Sequence, residues 1–132
     1  MANRAYLIGG DNSAPIGPTS DSYDPDTQIL CAASYRLPAF WLFCFDQPDL
    51  YEFEIEGDRI PTALTSTKAA RERLTERSVL AAVLFAAHAK QWAEWVRFIR
   101  DCPFAYITLD GYEVWAMGPD EFTQHLALLK CS

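Results

Sequence analysis

The chain has 132 residues, of which half are hydrophobic, 14% aromatic and 22% charged, and its formal charge is −7. This is the composition of one globular domain, residues 1–132, large enough to bury a core without disulfides or metal. With 18 acidic against 11 basic residues, it lacks the basic footprint that supplies most affinity for nucleic acid or for an anionic membrane surface.

In chain order, Ala5 to Gly9 reads as a short buried strand closed by Gly9-Gly10. Residues 10–27, rich in Asp, Ser, Pro and Gly, read as a long surface loop, either a binding element or a plain insertion. Ile29 to Arg36 is apolar and fits a strand or a short helix. After Pro38, the unbroken apolar run Ala39 to Phe45 predicts a central strand buried on both faces. Asp46 to Asp49 is a turn. Leu50 to Glu56 alternates strictly, with Tyr51, Phe53 and Ile55 on one face and Glu52, Glu54 and Glu56 on the other. It is expected to pair with the preceding run as a hairpin that ends at Gly57-Asp58.

Residues 65–101 read as helical, with N-cap oxygens at Thr65, Ser66 and Thr67. Their length favours a break between Thr75 and Ser78, with one of those two capping a second helix. Leu80, Leu84, Ala87, Gln91, Trp95 and Phe98 or Ile99 recur at helical spacing, and Val79, Val83, Trp92 and Val96 broaden that face, which predicts heavy burial. The basic positions Lys68, Arg71, Arg73 and Arg77, interleaved with Glu72 and Glu76, read as a solvated helix face. Pro103 ends the segment. Phe104–Leu109 and Tyr112–Met117 flank Asp110-Gly111 and predict a hairpin. A last helix starts near Pro119, where Asp120 and Glu121 suit the first turn. The expected class is α+β: an antiparallel sheet of about five strands against one long, broken helix and a C-terminal helix.

Catalytic signatures are sparse. Gly9-Gly10-Asp11 follows a strand but has neither the lysine nor the spacing of a phosphate loop. The cysteines, Cys31, Cys44, Cys102 and Cys131, show no C-x-x-C spacing, and His88 and His125 are the only histidines. They read as free thiols in a reducing compartment, with no metal or cofactor implied and no enzyme expected. The longest purely apolar run, Val79 to Ala87, is too short to span a bilayer. The N-terminal apolar run is also too short for a secretory signal, so a cytoplasmic protein is expected.

Charge is distributed unevenly. Residues 1–60 hold ten acids and three bases, whereas residues 61–132 hold eight of each. The imbalance points to an acidic docking face made of Glu52, Glu54, Glu56 and Asp58 with Asp21, Asp24 and Asp26, to which Tyr23 adds contact area. Its plain alternative is the solvent side of a half-buried strand. The opening Met1-Ala2-Asn3-Arg4-Ala5-Tyr6-Leu7 resembles a group of small bacterial proteins, several of which look like immunity proteins that neutralise toxins delivered between competing bacteria. That resemblance implies a protein that occludes the active site of a cognate toxin, here one with a basic cleft. Carboxylates in such a cleft would compete with phosphate groups and speed encounter. An adaptor for a secreted effector, binding an apolar segment through the aromatic-rich helix, is the alternative.

Overall fold

The computed structural model describes residues 4–11, 27–34, 38–55 and 57–110. Five strands make one antiparallel sheet: β1 (Arg4–Gly10), β2 (Gln28–Ser34), β3 (Leu50–Ile55), β4 (Asp58–Ser66) and β5 (Tyr106–Asp110), in the order β2-β1-β5-β4-β3. The strand latest in sequence among them is central. Leu7 stands opposite Cys31 and Ile8 opposite Ile29, so Leu30 is an extra residue that bulges β2.

Four helical stretches lie between the strands: α1 (Ala39–Leu42), α2 (Thr67–Glu76), α3 (Ser78–Leu84) and α4 (Ala89–Arg100), with 3-10 turns at Gln47–Asp49 and Ala86–His88. β4 runs directly into α2, where the Ser66 hydroxyl accepts the Ala69 N–H at 3.1 Å. Thr67 then fixes this corner to the entry of β5, its N–H donating to Ala105 O at 2.8 Å and its hydroxyl to Phe104 O at 2.6 Å.

Alternation along the strands decides the core. Ala5, Leu7, Ala63, Ile107 and Leu109 share one sheet face and pack with Trp41, Leu42, Phe45, Leu74, Trp95 and Ile99 from the helical side. Complete burial of a Leu or Ile is worth about 1.5–3 kcal/mol each. Phe40 and Phe43 meet Phe85 and Trp92 in an aromatic cluster with ring centroids 4.8–5.5 Å apart, which fastens α1 to α4. The opposite sheet face is buried too at Ile8, Thr62, Thr108 and Asp110. The α+β class expected from sequence is therefore the observed one.

Several local expectations are corrected. Ala39 to Phe45 is not a strand: Trp41 N–H bonds to Pro38 O, Cys44 to Trp41 O and Phe45 to Leu42 O, at 3.1–3.2 Å. This segment joins β2 to β3, the two outer strands of the sheet, so it crosses the sheet instead of entering it. The hairpin partner of β3 is β4, which follows it across Gly57 (φ +86°). Within the described residues, β5 has β1 on one side and β4 on the other. Residues 112–117 and the C-terminal helix lie outside the described residues.

The helical segment does break, at Arg77. Neither expected cap forms there: Ser78 Oγ donates back to Thr75 O and Thr75 Oγ1 to Arg71 O. A second break at Phe85 (φ −118°, ψ 35°) and the 3-10 turn after it shift the helical phase. The buried stripe continues along α4 at Trp92, Trp95 and Ile99. Of α3 only Ala81 is buried, while Val79, Leu80, Val83 and Leu84 face solvent.

Of the basic face expected to be solvated, Lys68 is exposed but the three arginines are turned to internal partners. Arg71 donates to Ile99 O and Cys102 O at 3.3 and 3.0 Å, closing the C-terminus of α4. Arg77 donates to Phe43 O and Phe45 O at 2.8 and 2.7 Å and lies 3.7 Å from Asp46. Arg73 donates to Cys44 O, Thr65 Oγ1 and Asp49. The carbonyls left open by the turn after α1 are what these guanidinium groups satisfy.

Candidate functional site

The acidic candidate is built by strand periodicity. Residues 50, 52 and 54 of β3 share a face, and Leu50 anchors its inner end in the core. Two residues further out, the Glu52 side chain is 56% exposed. Glu54 follows in register with Arg59 of β4, and Asp58 opens β4 opposite Ile55. Among the described residues, β4 pairs with β5 only from Ala63 to Ser66. Among those residues, the end of the hairpin that carries these acids has a strand on one side only.

The strip is less uniformly negative than the sequence suggested. Arg59, 78% exposed, lies 3.8 Å from Glu52 across the hairpin. Exposed pairs of this kind hold weakly, by about 0–1 kcal/mol. Glu56, Asp21, Tyr23, Asp24 and Asp26 lie outside the described residues.

Three other acids of the first half have internal work. Asp11 accepts the Ala105 N–H at 3.0 Å. Asp46 and Asp49 cap one another's backbone around the 3-10 turn and face Arg77 and Arg73. Arginines from the second half of the sequence therefore neutralise part of the charge excess of the first.

Cys31 and Cys44 are poor nucleophiles. Burial pushes Cys44 up to about 12, against smaller opposing effects of the Trp95 N–H, Arg77 and Arg73. Burial, with Cys102 nearby, raises Cys31 as well. A thiol held protonated is inert at neutral pH. His88 is exposed at the end of the 3-10 turn, and His125 lies outside the described residues. Among the described residues, no three His, Cys, Asp or Glu side chains converge where a cation could be held. No described helix is long and apolar enough to cross a membrane.

Two further features had no local sequence signal. A groove of about 460 Å³ opens between β2 and α4, with Leu30, Phe98 and Phe104 as its apolar wall and Gln28, Glu94 and Arg97 among its polar lining. Gly9 makes it possible: a Cβ there would come within 2.6 Å of the Phe104 ring and 3.0 Å of Leu30. On the opposite sheet face, the registers pair Tyr51 with Thr62 and Tyr6 with Asp110. Thr62 and Asp110 are buried, and the Thr62 hydroxyl donates to Leu109 O. The chain matches no family model, no curated protein and no solved structure.

Proposed function

We propose that this chain is a cytoplasmic immunity protein that binds one cognate antibacterial toxin and occludes its active site. The observation that carries the reading is the placement of Glu52, Glu54 and Asp58 at one end of the β3–β4 hairpin, with Glu52 exposed beside a weakly held Arg59. A two-stranded mount fixes the backbone of the acids before binding, so less conformational freedom is lost when they meet a basic cleft. The resemblance of residues 1–7 to immunity proteins supports the same class. The net charge of −7 would steer a cationic toxin toward the chain before contact.

The test pairs the purified chain with the toxin encoded beside its gene. Co-expression should restore growth that the toxin alone arrests. The association rate should fall by about tenfold or more between low and high ionic strength. Glu52→Lys with Glu54→Lys should lower it further at low salt. A chain that neither binds nor protects overturns the proposal. A rate indifferent to both salt and charge reversal removes the acidic hairpin from it.

A further inference from the structure

We infer that α3 is a self-association face, and that a second copy of this chain covers it. A surface helix normally turns its large apolar residues inward. Here the arrangement is reversed. Val79 is 77% exposed, Val83 73%, Leu84 59% and Leu80 49%, while the small Ala81 is the residue turned to the core, at 1%. At 3.6 residues per turn the four exposed side chains occupy an arc of roughly 140°. They form two adjoining i, i+4 ridges, Val79–Val83 and Leu80–Leu84. Such ridges fit between identical ridges of another helix. The four together present on the order of 400 Å² of aliphatic surface, within the range of the largest patches on monomers, which are often functional.

Charge selects the occupant. From Ser78 to Ala89 there are twelve residues without a formal charge, the longest such run in the chain. Two copies at −7 each repel one another, and least across a face without charge. This face is bounded at its N-terminal end by exposed Glu76 and at its C-terminal end by exposed Lys90. Arg77, between them, is bonded inward to Phe43 O and Phe45 O. In an antiparallel pairing of two copies, the neutral run of each is flanked by Glu76 at one end of its sequence and Lys90 at the other, so the flanking charges are of opposite sign. A lipid surface fits less well, because the flanks lack the row of Lys and Arg that holds an interfacial helix to anionic headgroups.

A standard interface takes about 800 Å² from each partner, about a tenth of the 7753 Å² here. The ridges supply about half of that, and the exposed Ala82, Ala86 and Ala87 extend the contact. The dimer is accordingly weak and concentration-dependent.

Sedimentation velocity on the full chain, up to about 200 µM, should show a monomer–dimer equilibrium. Added salt should tighten it, because screening relieves repulsion between acidic copies. That is the opposite sign from toxin capture through the hairpin. Val83→Glu should raise the dissociation constant by about tenfold or more and leave circular dichroism and the thermal midpoint of the monomer unchanged. Glu76→Lys should weaken the dimer and Glu76→Lys with Lys90→Glu should restore it, so the inference stays testable if Val83→Glu does not fold. A chain monomeric at the highest concentration overturns it, as does a Val83→Glu dimer of unchanged strength. A monomer that binds zwitterionic vesicles through Val83 also overturns it, in favour of a bilayer. Glu52→Lys should leave dimerisation intact, which separates failure here from failure of the toxin proposal.

Discussion

Removing the guanidinium of Arg73 distinguishes a structural clamp from a solvated basic helix. Arg73→Met keeps the aliphatic stem and deletes the charge. Three partners are lost at once: Cys44 O at 3.1 Å, Thr65 Oγ1 at 3.0 Å and the Asp49 carboxylate. The two charged side chains are 19% and 14% exposed, so little water replaces what is removed. Breaking one side of a buried pair costs about 3–5 kcal/mol. Asp49 still accepts the Asp46 N–H at 2.8 Å, and the residual exposure lets some solvent in. Both effects lower the expected loss to about 2–3 kcal/mol. Against a total stability of about 5–15 kcal/mol, that is readily measured. Urea unfolding followed by tryptophan fluorescence should report it, since Trp41, Trp92 and Trp95 are all buried. Adding Asp49→Asn should recover part of the loss, because the stranded carboxylate is then neutral. Lys68→Met, at an exposed site on the same helix, should change stability by less than about 0.5 kcal/mol. A loss below that size for Arg73→Met would refute the clamp and return α2 to the solvated face read from its sequence.

Two further predictions concern stability alone. The Cys44 thiol, ordinarily at 9.0, is pushed up to about 12 in the fold. Its contribution is therefore complete below about pH 9 and is lost as pH rises from there toward 12, because the unfolded chain releases the proton first. By pH 11 the loss is on the order of 3 kcal/mol, and Cys44→Ala should remove this part of the alkaline slope; equal slopes in the two proteins would contradict it. Gly9→Ala should destabilise by about 1–3 kcal/mol through overpacking against Phe104 and Leu30, as chemical denaturation would show. A variant as stable as the parent would mean that Phe104 moves aside at no cost.

The sequence alone determined the class of this protein and much of its local structure. Strict alternation over Leu50–Ile55 defines one strand whichever neighbour it finds, because the period of two survives any partner. Ser66 and Pro103 mark the helical segment from outside, through backbone groups that must be capped or cannot be bonded. The glutamates at 52 and 54 were likewise legible as one strip, since their spacing is covalent.

What the chain order could not decide was who pairs with whom. The run Ala39–Phe45 has no period, so helix and strand are equally compatible with it, and its path between the two outer strands settled the matter. β4 was hidden because Pro61 and a mixed pattern disguise a strand that borrows its hydrogen bonds from β3 and β5. Arg71, Arg73 and Arg77 alternate with acids as a solvated face does. Only packing places the carbonyls of residues 43–45, 99 and 102 within their reach, across sequence separations of about thirty residues. The same holds for α3: its residues are as apolar as a core helix, but the break at Phe85 and the 3-10 turn after it separate their face from the buried stripe of α4. Local pattern fixes which residues must escape water, whereas long-range contact determines which of them succeed.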